Sequence, residues 1–235
     1  MSLIDALANA WRLLLMGDAA LWVIIWISLK TSLLGLLIAA PPSIVAGYLI
    51  ATHRFTGRRV LIWLAQAALS LPTVLIGLLL YLMLSRQGPA GGLHWLFSQS
   101  GVVVGQVLIA IPVLIAFTLS AVQASDVRLA ETAITLGASR WRVMLTVLHE
   151  TRFGVMAAVI NGFGRVISEV GCAMMVGGNI AGETRTITTA IALETSKGEF
   201  AQGIALGIVL ITIALIINAV LMLMQGDVRL QRGTA

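Results

Sequence analysis

A chain of 235 residues that is 59% hydrophobic and only 11% charged, with a mean hydropathy of +0.99, carries more apolar surface than a soluble core of this size can hide. The bilayer must be its solvent, and one membrane domain fits the length. The formal charge of +5 does not argue for a nucleic-acid partner, because the basic residues are scattered over connecting segments, where a membrane protein keeps its cytoplasmic face positive. The single cysteine, Cys172, leaves no intrachain disulfide framework and no cysteine-built metal site, and suits a small core residue.

In chain order, the opening MSLIDALANAWRLLLMGD has no basic run before its apolar stretch and does not read as a cleaved signal peptide. Residues 2–16 are amphipathic (Leu3, Leu7, Ala10, Trp11, Leu14) and suit the membrane surface, so 1–20 reads as an extracytoplasmic segment. Five stretches approach or exceed the ~20 apolar residues a spanning helix needs: 21–51, 60–84, 102–122, 153–180 and 204–224. They predict an all-α polytopic membrane protein with one transmembrane domain over 21–228 and a short tail over 229–235. Pro41 and Pro42 should bend the first span. Lys30, in its outer third, snorkels to the headgroups. Gly101 and Gly105, and Gly203 and Gly207, are small pairs at the spacing that lets helices approach closely.

Orientation follows from the loops. Arg54, Arg58, Arg59, Arg128, Arg140, Arg142, Arg152, Arg229 and Arg232 fall on one side, and Arg12, Arg86, Arg185 and Lys197 on the other. The first set belongs in the cytoplasm, which puts the N-terminus outside and the C-terminus inside. The segment 124–152 is then a cytoplasmic loop. Ser125 and Asp126 can cap a helix that carries Glu131, Thr132 and Ala133. Gly137, followed by Ala138, lets that helix end in a left-handed turn. A second short helix follows with Trp141, Met144, Leu145 and Leu148. Spacing alone fits an ordinary amphipathic loop helix equally well.

The stretch AETAITLGASRWRVMLTVLHE resembles the EAA signature of ABC importer permeases through Glu131, Thr132, Ala133 and Gly137. Val147-Leu148-His149-Glu150 stands where that signature closes on an aliphatic residue, a variable residue, Leu and Pro, and the departure points to a subfamily. ISLKTSLLGLLIAAPPSIVAGYLIA and LSLPTVLIGLLLYLMLSRQGPAG are similar to the opening of molybdate and tungstate permeases. LHET, RVISEVG and TRTITTAIALETSKG are most similar to the tungstate branch. The resemblance implies a type I importer permease fold, with Glu131, Thr132, Ala133, Gly137, Ala138 and Trp141 in a coupling helix gripped by an ATP-binding subunit. It implies two such subunits, which use the ATP, and an extracytoplasmic substrate-binding protein. The location implied is the bacterial cytoplasmic membrane.

Two further groups carry polar chemistry. Arg165 and Glu169, four apart in the fourth span, share a helix face, with Asn161 and Ser168 nearby. An ionisable group at bilayer depth costs roughly 2.5–3.5 kcal/mol and faces protein or water. The residues fit either a mutually neutralising structural pair or the lining of an anion pathway. Beyond Gly177, Gly178 and Asn179, the run Thr184, Arg185, Thr186, Thr188 and Thr189 offers donors to a tetrahedral dianion, and equally a Thr-rich helix cap. Five spans give few walls for a gated pathway, so a two-fold homodimer is the simplest closure.

No catalytic or cofactor signature accompanies these groups. The only lysines, Lys30 and Lys197, do not follow a G-x-x-x-x-G pattern, so no phosphate loop is present. His149-Glu150 is not H-E-x-x-H, because position 153 is Phe153. Gly162-Phe163-Gly164 lacks the third glycine of a dinucleotide loop. The expectation is a non-catalytic permease without cofactor or metal of its own, importing an oxyanion, tungstate foremost. The alternatives are molybdate or another oxyanion and, in a different class, a stand-alone secondary transporter or channel.

Overall fold

The structure, a computed structural model, describes residues 11, 12, 15 and 19–232. Most of the amphipathic segment expected over 2–16, and the end of the expected tail, lie outside those residues. Among the described residues all regular structure is helical. The helices are α1 (Ala19–Thr52), α2 (Arg58–Ala68), α3 (Thr73–Leu84), α4 (Gln99–Gln123), α5 (Val127–Thr135), α6 (Arg140–Glu150), α7 (Arg152–Ile167), α8 (Gly171–Gly177), α9 (Ile187–Lys197) and α10 (Phe200–Arg232). A 3-10 turn at Gly91–Leu93 joins α3 to α4.

Among the described residues three helices are long and apolar enough to cross a bilayer: α1, α4 and the Phe200–Val220 stretch of α10. By length and composition alone, counting each bent pair, α2 with α3 and α6 with α7, as one span brings the total to at most five. Two of the expected continuous spans are corrected. The stretch 60–84 divides into α2 and α3. Pro72 has no N–H to give the ladder and disfavours helical backbone in Leu71, so the helix restarts after it, with Leu75 and Ile76 donating to the Pro72 carbonyl. The stretch 153–180 divides into α7 and α8, with Ser168, Glu169 and Val170 in the break. α1, by contrast, continues through Pro41 and Pro42.

The chain forms two compact units. The first comprises the described residues of Met1–Leu36, with Leu71–Ile109 and Phe163–Ile216. In it Leu80, Leu84, Ile109, Cys172 and Val176 form one buried cluster where α3, α4 and α8 meet. Leu21, Ile25, Ile187, Ala190 and Leu206 form another, from α1, α9 and α10. Apolar side chains gain little by leaving lipid for protein, so close packing and hydrogen bonds must hold these helices. A Cβ at Gly77 would lie 2.7 Å from the Cys172 Cα, and one at Gly105 would lie 2.6 Å from its Sγ. Glycine is what admits Cys172 there. Gly101 likewise faces Val176, whereas nothing lies within 4 Å of a Cβ built at Gly207. Polar ties supplement the packing: Gln106 Nε2 donates to Thr31 Oγ1 (3.4 Å) and Ser32 Oγ (3.5 Å), and Ile187 N donates to Ser28 Oγ (2.6 Å).

The second unit comprises Leu37–Ser70, Ala110–Gly162 and the described residues of Ile217–Ala235. Tyr48, Val122, Met144 and Val147 are buried together, fastening α6 to the C-terminal parts of α1 and α4. Arg58 donates from Nε to the Ile50 carbonyl (2.7 Å) and from Nη2 to that of Ala51 (3.1 Å). It thereby satisfies carbonyls that the end of α1 leaves without helical partners and complements the helix dipole. Both units expose large apolar side chains, such as Trp26 and Leu79 in the first and Val60 and Trp63 in the second, at levels a soluble monomer does not tolerate in contiguous patches.

Candidate functional site

The loop over 124–152 folds into two short helices with a built turn between them. Asp126 caps α5 by accepting from Arg128 N at 2.9 Å. Its other end is a Schellman motif. Gly137 adopts φ +79°, its N–H reaches the Ile134 carbonyl (2.9 Å), and the Ala138 N–H reaches the Ala133 carbonyl (3.0 Å). This geometry explains the four-residue spacing of Ala133 and Gly137: one supplies the third-last helical carbonyl, the other the left-handed residue that turns the chain back to it.

α6 is two-faced. Val143, Met144 and Val147 are buried, while Trp141 and Leu145 are exposed. On the preceding turn Ile134 and Leu136 are exposed, the latter at 82%, as are Glu131, Thr132 and Gly137; Ala133 and Ala138 are half-buried. The sequence-expected residues of this loop therefore sit on one hairpin of helices, with an apolar tip outside and an anchor inside. Beside it lies a groove of about 820 Å³, lined by Tyr48, His53, Ile134, Arg140, Trp141 and Met144 among others. α6 meets α7 at a 74° bend.

The second group lies at the break after α7. Arg165 Nη1 donates to Glu169 Oε2 at 3.0 Å, and the two side chains are 38% and 3% exposed. The pair expected from the spacing is thus formed, but Glu169 lies beyond the helix end rather than on the face of a continuous span. Its other oxygen, Oε1, accepts from Cys172 N at 3.0 Å. Ser168 is exposed and donates its hydroxyl to the Gly164 carbonyl (2.7 Å). Asn161, earlier on α7, is exposed and donates from Nδ2 to the Ala157 carbonyl (2.8 Å).

The Thr-rich segment is closed on itself. Thr186 caps α9 in a reciprocal box with Thr189. Thr184 Oγ1 donates to the Gly177 carbonyl and accepts from Ile180 N (3.0 Å). Both residues are buried, at 1% and 4% exposure, so their hydroxyls serve the loop after α8 and face no open space in this conformation. Arg185 is half-buried and donates from Nη2 to the Asn179 carbonyl (3.4 Å). Sequence reasoning missed the bond from Thr188 Oγ1 to the Glu169 carbonyl (2.6 Å), which ties α9 to the break. Nothing local announces a partner nineteen residues away. Among the described residues no group of three His, Cys, Asp or Glu could hold a metal ion.

A family model described as "Binding-protein-dependent transport system inner membrane component" matches residues 43–229. The chain is 36% identical over 214 residues to the tungstate uptake system permease protein TupB of Campylobacter jejuni, covering 91% of this chain and 90% of that one. It is 35% identical to TupB of Peptoclostridium acidaminophilum, covering 93% and 96%. It is 33% identical to the molybdenum transport system permease protein ModB of Escherichia coli K12, covering 76% and 82%. A solved bacterial alginate ABC transporter, crystallised with its alginate pentasaccharide-bound periplasmic protein, superposes with a TM-score of 0.71 at 20% identity, covering 92% of this chain and 82% of that one. That likeness shows the fold.

Proposed function

The chain belongs to the family of binding-protein-dependent transport system inner membrane components, with the type I importer permease fold, and from that premise we propose that it is the membrane subunit of an ABC importer that carries tungstate inward by alternating access. The two tungstate permeases that match over nine-tenths of the chain support tungstate; the molybdenum permease makes molybdate the second candidate. Two separate ATP-binding subunits consume the ATP, an extracytoplasmic binding protein delivers the anion, and a second copy of the chain completes the pathway. The N-terminus lies outside, and the loop over 124–152 and the C-terminus lie in the cytoplasm.

The observation that carries this reading is the two-faced α5–α6 hairpin. Its exposed tip, with Ile134, Leu136 and Trp141, offers a partner an apolar grip, while Met144 and Val147 pack on Tyr48 and Val122 of the membrane helices. A displacement of the tip is passed to α1 and α4, because close-packed contacts shift between discrete arrangements rather than yielding. ATP binding then biases a two-state equilibrium through its differential contacts at the loop. Along the pathway Asn161, Arg165 and Ser168 supply the polar lining, and Glu169, expected there from the sequence, is buried behind Arg165 as its ion-pair partner. Thr184 and Thr186 enter only as the cap that fixes the turn carrying Arg185.

Glu131→Lys reverses a charge at the grip, and Gly137→Trp puts a bulky side chain where φ is +79°. In the reconstituted transporter each is expected to abolish uptake while ATP hydrolysis persists and the protein still inserts. Normal uptake by both would remove the coupling role.

A further inference from the structure

Glu169 does more than cancel the charge of Arg165. Its two oxygens have separate tasks: Oε2 takes Arg165 Nη1, and Oε1 takes Cys172 N, a first-turn donor of α8 that has no helical partner. Its carbonyl is held by Thr188 Oγ1, and Thr188 Oγ1 lies 3.2 Å from Oγ1 of Thr186, the N-cap of α9. The carboxylate is therefore held at both oxygens, its backbone is held by Thr188, and the residue is buried, while 38% of the Arg165 side chain remains open. A guanidinium has five donors, and only one is spent on Glu169.

We propose that Glu169 is a positioning residue that sets how strongly Arg165 holds a passing oxyanion. The proposal rests on the reading of Arg165 as a pathway residue. A dianion in transit must be bound well enough to enter and weakly enough to leave. A bare guanidinium facing a tetrahedral dianion in a low-dielectric setting would retain it through charge-assisted bonds. Glu169 offsets part of that attraction and turns the remaining donors outward. It can do so with constant geometry because the break between α7 and α8, not a flexible helix face, carries it.

Glu169→Gln separates the two tasks. Its amide oxygen can still accept from Cys172 N, but its amide nitrogen offers Arg165 no acceptor. On the assembled transporter with its ATP-binding subunits and binding protein, E169Q is expected to retain tungstate about tenfold more tightly and to slow uptake turnover, the factor expected for one charge-assisted hydrogen bond. R165Q is expected to weaken retention. In the R165Q background, adding E169Q should change nothing further. Wild-type retention and turnover in E169Q, with R165Q impaired, would overturn the role of Glu169 and leave the pathway reading standing. Wild-type behaviour of R165Q would sink the pathway reading itself. Should E169Q fail to assemble, E169D carries the test: its shorter arm cannot serve both partners, and unchanged retention in E169D would overturn the proposal.

Discussion

Cys172 sits where a methyl group on either of two neighbours would collide with it. The contact at Gly77 is with its backbone, which cannot swing aside, whereas the contact at Gly105 is with its sulfur. Gly77→Ala should therefore cost more than Gly105→Ala, each within the ~1–3 kcal/mol typical of overpacking. Gly207→Ala meets nothing within 4 Å and favours the helix, so it should leave stability unchanged or raise it by up to about 1 kcal/mol. Melting temperatures of the three purified variants in one detergent give the order. Three glycines that look alike in an apolar sequence thus divide into two that fix a helix crossing and one that does not.

Among the elements, α9 depends most visibly on its cap. Thr186→Val keeps the shape but removes the hydroxyl of the reciprocal box, at a cost of about 0.5–2 kcal/mol. Faster hydrogen exchange at the Thr188, Thr189 and Ala190 amides would report it, and unchanged exchange would show the cap to be dispensable. What could be read in advance followed the same physics. Asp126 and Gly137 mark the ends of α5 because a side-chain acceptor and a left-handed residue are local requirements. α4 and α10 emerge from hydropathy because little interrupts them. The breaks at Pro72 and Glu169 were lost because a window of about 20 residues averages over a short interruption. Pro72 was still a visible warning. The Arg165–Glu169 spacing foretold their ion pair, but not that Glu169 also holds Cys172 N, since that bond exists only once the helix has ended. The tie from Ser28 to Ile187 spans 159 positions and leaves no local trace.

For the whole molecule, nine basic loop residues against four predict which side each loop takes. Cys172 is 2% exposed, so an impermeant maleimide added to intact cells should leave the parent chain unlabelled. Gln87→Cys, at an exposed loop residue on the side expected to face outward, should label from outside, and Thr56→Cys, at an exposed residue of the side expected to face inward, only after the cells are opened. The reverse pattern would invert the topology. The interrupted spans also bear on how the chain is made. At 1.5 Å per residue α3 is about 18 Å long and α8 about 10 Å, so neither crosses a ~30 Å hydrocarbon layer alone. α3 acquires its partner at Cys172 only after α4, α5, α6 and α7 have been synthesised. A ribosome halted after Ile167 would have released every residue of α3 and nothing for Gly77 to rest against. Assembly is then not complete as each helix enters the lipid: the last packing of α3 waits for seven residues that arrive late.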